Sequence, residues 1–88
     1  MNKHIICYIK PFIQYQEVWV YIDGTNREVK SCTIDNLAET IYSLADRYQI
    51  QNIDLTAGNA LGIKVRKDLL KKYPERNFNI TIHSIGGF

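Results

Sequence analysis

No stretch of the chain approaches the ~20 consecutive apolar residues of a membrane-spanning helix, so a membrane protein of the helical kind is excluded. Cysteine is scarce. Cys7 and Cys32 are the only two, without C-x-x-C spacing, which removes zinc and dithiol redox motifs and predicts free thiols in a reducing cytoplasm. Proline is confined to Pro11 and Pro74, and there is no repeat, low-complexity tract or linker. No charge sign dominates: 11 basic residues against 9 acidic ones give a net charge of +2, which neither demands nor excludes nucleic acid. The N-terminal apolar run is broken by Lys10 and Pro11, too early for an export signal, so the expected location is cytoplasmic. Ser31 and Ser43 lack a nucleophile elbow and Ser84 lies in the tail. No catalytic residue, metal ligand set or cofactor is assigned.

What is present is the composition of one folded domain over residues 1–88, with 45% apolar and 23% charged residues. That length builds a core without metal or disulfide staples. Isoleucine, asparagine, lysine and tyrosine are favoured and alanine is sparse. This bias suggests an AT-rich coding genome, such as that of a low-GC bacterium or one of its phages, and a small phage or prophage accessory protein fits it.

Glu17–Asp23, E-V-W-V-Y-I-D, is the clearest strand. Val18, Val20 and Ile22 point one way, and Trp19, Tyr21 and Asp23 the other. Ile5–Ile9 reads as a strand before it. Asp23-Gly24-Thr25-Asn26 reads as a hairpin turn, and Arg27–Cys32 as a polar edge strand. Thr33 or Asp35 is positioned to cap a helix whose stripe is Leu37, Ile41, Leu44, Ala45 and Tyr48, ending near Gln49. Ile53–Leu55 is a short strand. Asn59 or Gly58 opens a second helix with Leu61, Val65, Leu69 and Tyr73 on one face, stopped by Pro74. Phe78–His83 alternates as a last strand.

The order β-β-β-α-β-α-β over about residues 4–83 resembles the ribonuclease H-like fold in topology. The resemblance implies a five-stranded mixed sheet of order 3-2-1-4-5. Both crossovers then step the same way, and right-handed connections put both helices on one face. The other face carries Ile6, Tyr8, Lys10, Trp19 and Tyr21 on the first two strands and the polar Asp54, Thr56, Thr81 and His83 on the last two. Regular alternation along the third strand adds Glu28, Lys30 and Cys32 to this open side and turns Val29 toward the helices, so Cys7 and Cys32 fall on opposite faces.

An open aromatic face of this size needs an explanation. The expected function is a non-enzymatic interaction module that self-associates, as a homodimer, or docks a protein partner through Ile6, Tyr8, Trp19 and Tyr21, with Lys10 and Lys30 beside them. The rival is single-stranded nucleic-acid binding, with bases stacked on the same rings. The plainest alternative is that the tail or Pro11–Tyr15 folds back over the patch.

The resemblance also implies two kinds of chemistry. Nucleases of this fold hold metal with carboxylates on the first strand, the first helix and the fourth strand. Here the first strand has no acid, and only Glu39 and Asp54 match; their ordinary reading is a solvated helix residue and a polar strand residue. Actin-like ATPases carry a T-G-G loop, which I-D-L-T-A-G-N at Ile53–Asn59 resembles with Ala57 in place of the first glycine. Thr56, Gly58 and Asn59 form a candidate anion loop at a helix N-terminus, against the simpler reading of a tight turn. Lys64, Arg66, Lys67, Lys71, Lys72 and Arg76 make the second helix region basic, on the helix side of the sheet. His83 reads as a surface residue, and sequence distance alone does not relate it to His4.

Overall fold

Alternating apolar residues from four strands converge on a single buried layer. The structure is a computed structural model and describes residues 2–84. Its strands are β1 (Lys3–Tyr8), β2 (Tyr15–Ile22), β3 (Thr25–Thr33), β4 (Asn52–Ala57) and β5 (Asn79–Ser84); its helices are α1 (Leu37–Tyr48) and α2 (Asn59–Lys72). Single 3-10 turns at Ile34–Asn36 and Pro74–Arg76 precede α1 and follow α2. The sheet order is β3-β2-β1-β4-β5, with β1 antiparallel to β2 and parallel to β4. This is the expected ribonuclease H-like arrangement.

Ile5, Cys7, Val18, Val20, Ile53 and Leu55 are all fully buried, and they share one core with Leu37, Ile41, Leu44, Val65 and Leu69 of the helices. Both helices therefore cover one face of the sheet. Ile22, Ile80 and Ile82 take the same side at its margins, half-buried. Helix α1 ends in a left-handed Gln49 (φ 57°), whose N–H returns to Ala45 and Asp46. At the head of α1, neither Thr33 nor Asn36 makes a side-chain cap, and Asp35 lies within the 3-10 turn instead. Gly58 holds the cap position of α2.

Helix α2 approaches β5 closely at Gly62. A Cβ there would lie 3.1 Å from Ile82 Cγ2 and 3.6 Å from the Ala57 Cβ. Gly62→Val forces the helix off the strand and is expected to cost about 1–3 kcal/mol, read as a lower urea midpoint at unchanged slope.

The hairpin turn is Asp23-Gly24, both at positive φ (52° and 78°), which is the two-residue turn that suits strand twist. Beyond it the ladder slips. Tyr21 faces Asn26 but Val20 faces Glu28, so Arg27 has no partner and forms a bulge. The Asn26 side-chain amide donates across the irregularity to the Val20 carbonyl (3.3 Å) and the Glu28 carbonyl (3.4 Å). One extra residue inverts the parity of everything after it. The expectation for β3 is thereby reversed. Glu28, Lys30 and Cys32 lie on the helix side, opposite Val20, Val18 and Gln16, while Val29 and Ser31 lie on the open side, opposite Trp19 and Glu17.

Side-chain contacts agree with that inversion. Glu28 accepts hydrogen bonds from the Tyr48 hydroxyl and the Arg47 guanidinium of α1, both at 2.8 Å. The Tyr48 bond, ahead of Arg47, holds the Glu28 carboxyl below its ordinary 4.5. A lowered folded-state pKa stabilises the fold above that value, and the gain is lost as pH falls through the folded pKa. Glu28→Gln is thus expected to be less stable than the parent at pH 7, the difference closing in thermal melts run progressively below about pH 4.5.

Cys7 and Cys32 both lie on the buried helix side, and both are free. Strands β1 and β3 are separated by β2, hence by two strand spacings of about 4.8 Å each, beyond disulfide reach. Burial, with a smaller contribution from Cys32, pushes the Cys7 thiol up to about 12, so it is an inert core group.

Candidate interaction face

The open face is built by the outward parity of β1 and β2. Ile6 pairs with Trp19 across the two strands, and His4 with Tyr21. The Trp19 and Tyr21 rings stack with centroids 6.4 Å apart and planes 13° from parallel, while His4 tilts against Tyr21 at 5.7 Å. Trp19, Tyr21 and Ile6 are half-buried; Tyr8 is 54% exposed and Tyr15 59%. Together with Lys10, Glu17 and Ser31 they line a hollow of about 650 Å³. The structure thus gathers Ile6, Tyr8, Lys10, Trp19 and Tyr21 at one place, as expected from the sequence. Lys30 is excluded, because the Arg27 bulge turns it to the opposite side. Val29, 38% exposed, stands in its place next to Trp19, so the face is more apolar and less basic than the sequence suggests.

The connection between β1 and β2 does not close over this hollow. Phe12 is fully exposed and Ile13 is 50% exposed. Pro11 and Phe12 instead border a small apolar hollow of about 250 Å³ with Gly58, Ala60 and Leu61 at the start of α2. Gln16 fixes the connection. Although it belongs to β2 it is buried, and its side chain accepts from the Lys10 N–H (2.8 Å) and donates to the Lys10 (2.9 Å) and Ile13 (3.0 Å) carbonyls. The other segment expected to fold back, the C-terminal tail, lies beyond Ser84 and outside the described residues.

Asp54 and His83, expected on the open face, join His4 there in a polar cluster that the sequence reading did not assemble. Asp54 accepts from both His4 Nδ1 (2.9 Å) and His83 Nε2 (3.4 Å), tying β1 to β5 across β4. All three residues have outward parity, so the cluster follows once the strand order 1-4-5 is applied. Among the described residues, no group of three His, Cys, Asp or Glu side chains is arranged to hold a metal ion. Glu39, the other carboxylate singled out, lies on α1 and pairs with Lys72 of α2 at 3.9 Å. It stands on the far side of the sheet from Asp54, so the two do not converge.

Thr56 and Gly58 sit at the β4–α2 junction. The Thr56 carbonyl accepts from Ile9 N–H (2.8 Å) and the Gly58 carbonyl from Gly62 N–H (3.0 Å), and Asn59 begins the helix. Gly58 borders the small apolar hollow with Pro11, Phe12, Ala60 and Leu61. Of the basic set, Arg76 is committed to structure. Its guanidinium lies 4.7 Å from the Phe78 ring centroid and 5.6 Å from that of Tyr42, which stacks on Tyr73 at 3.9 Å. Lys64 pairs with Asp68 at 3.7 Å. None of these residues shares the aromatic face.

No helix among the described residues is long and apolar enough to cross a membrane. No protein-family model matches the chain, and no curated protein matches it. Solved structures do match its fold. A Bacteroides thetaiotaomicron protein with an actin-like ATPase fold and unknown function aligns at TM-score 0.62 and 10% identity, over 91% of this chain and 32% of that one. YeaZ from Pseudomonas aeruginosa aligns at 0.59 and 8%, over 96% and 44%. T. thermophilus RuvC, in complex with a Holliday junction substrate, aligns at 0.59 and 12%, over 92% and 64%. The chain spans about a third to just under two thirds of the length of these proteins. At such low identity the likeness concerns architecture, and it establishes the ribonuclease H-like α/β fold of this chain.

Proposed function

We propose that this chain is a protein-docking module that works through its helix-free sheet face, with a second copy of itself as the first partner. The observation that carries the reading is the hollow of about 650 Å³ among Tyr8, Tyr15, Trp19 and Tyr21, uncovered by any described segment. Tyr and Trp in a concave apolar site are the side chains that concentrate binding energy in protein interfaces. A symmetric dimer requires a self-complementary patch. This one carries both signs, Lys10 and Glu17 lining the same hollow, so two copies can pair each cation with the other's acid.

Nucleic-acid binding through the same rings is the weaker reading. Backbone neutralisation needs clustered cations, yet the open face retains Lys10 against Glu17 and Asp54, and Lys30 lies on the other side. A setting in a low-GC bacterium or one of its phages suits the composition. Sedimentation equilibrium over a micromolar range tests the reading. The mass is expected to rise toward twice the 10.2 kDa of one chain, with a modest weakening in added salt from the Lys10–Glu17 pairs of a mainly apolar interface. A single-chain mass at every concentration would sink self-association, and a blue shift of Trp19 emission on adding oligonucleotide would favour the rival.

A further inference from the structure

We propose that the hollow on the open face receives Phe12 from a second copy, so that two chains exchange their β1–β2 connections reciprocally. The inference rests on the docking reading above and names the anchor within it. Three observations converge on Phe12. Its side chain is fully exposed, with a relative accessibility of 103%. Its backbone is left-handed (φ 63°), a conformation that bulky side chains rarely adopt. And the buried Gln16 holds that shape by clasping Lys10 on one side and Ile13 on the other.

A locked turn that keeps a phenyl ring in water, beside an apolar hollow of its own chain that the ring does not fill, is poorly explained by the stability of one chain. It is well explained as a preformed anchor, because ordering before association lowers the cost of binding. The roots of the same turn, Lys10 and Tyr15, are walls of the larger hollow. Knob and receptor therefore stand side by side at one end of the sheet. A two-fold axis passing near that lip carries each ring over the other chain's hollow, which closes the assembly at two copies instead of propagating it. The receptor has room for the ring together with the adjoining Ile13, and Tyr8 and Trp19 offer edges and faces for aromatic packing.

Equilibrium sedimentation and Trp19 emission on the full chain decide the matter. Phe12→Asn removes the ring and keeps a residue that tolerates positive φ, so the turn survives. The dimer dissociation constant is expected to rise at least about tenfold, and Trp19 emission to shift red at a fixed concentration. Tyr8→Lys, inside the hollow, is expected to act alike. If Phe12→Asn dimerises as the parent does while Tyr8→Lys is monomeric, the exchange is overturned and docking through the open face stands. If the parent is monomeric throughout, both are overturned. If removing residues 85–88 shifts Trp19 red and Phe12→Asn is silent, the hollow belongs to the chain's own C-terminal segment and the exchange is overturned.

Discussion

Trp19→Ser is expected to raise the dimer dissociation constant about 30-fold or more, the loss typical of a central aromatic anchor of about 2 kcal/mol. The same change is expected to cost the isolated fold far less. Trp19 contributes nothing to the layer under the helices; it packs on Tyr21, Ile6 and Val29 across the outer surface of β1–β3. Cross-strand pairs of this kind are worth roughly 0.2–1 kcal/mol each, and partial exposure lowers the return further. Association should therefore collapse while the thermal midpoint drops only a few degrees. Light scattering and melting curves on the same sample separate the two. A variant that dimerises normally would place the interface elsewhere.

Gln16→Leu is expected to destabilise the chain by about 2–4 kcal/mol, although it replaces a buried polar residue by an apolar one of similar size. Three hydrogen bonds end on the Gln16 amide, and each has a backbone group at the other end. Those groups stay polar when the side chain changes. Leaving a partly buried donor or acceptor without a partner costs about 1–3 kcal/mol, which exceeds what one added apolar contact returns. Urea unfolding checks the magnitude. The β1–β2 turn should also become the first site of proteolysis, since its shape depends on the clasp. A change below about 0.5 kcal/mol would mean that water replaces the amide without loss.

The architecture was legible because periodicity and handedness agree. Val18, Val20 and Ile53 alternate, α1 carries its stripe from Leu37 to Ala45, and two right-handed crossovers stepping the same way leave one side of the sheet bare. Strand β3 was misread for an identifiable reason. Its inward parity rested on Val29 alone, yet Cys32 is three residues away and takes the opposite parity in any regular strand. Hydrophobicity alone therefore left the inward face of the strand undetermined; the bulge at Arg27, ahead of both residues, turns Cys32 inward, where it is buried, and Val29 outward. The effect on the site is direct, since it exchanges Lys30 for Val29.

The Asp54 cluster was invisible at the level of local pattern. His4 and His83 lie 79 positions apart in number and meet only through the carboxylate between them, so nothing short of strand order reveals it. Gln16 was hidden for another reason. A glutamine at a strand entry reads as solvent-facing, and its burial follows from backbone groups of a turn whose conformation no residue in Pro11–Gln14 announces.

The aromatic side of the sheet is the proposed docking surface, and the sole tryptophan sits within it. Trp19 emission, followed from nanomolar to high micromolar protein, is the most direct measurement. A red-shifted, acrylamide-quenchable signal is expected in the dilute chain, turning blue-shifted and protected over the concentrations at which the mass doubles. An emission that is already blue-shifted and shielded in the dilute monomer, and unchanged on concentration, would contradict docking through this face.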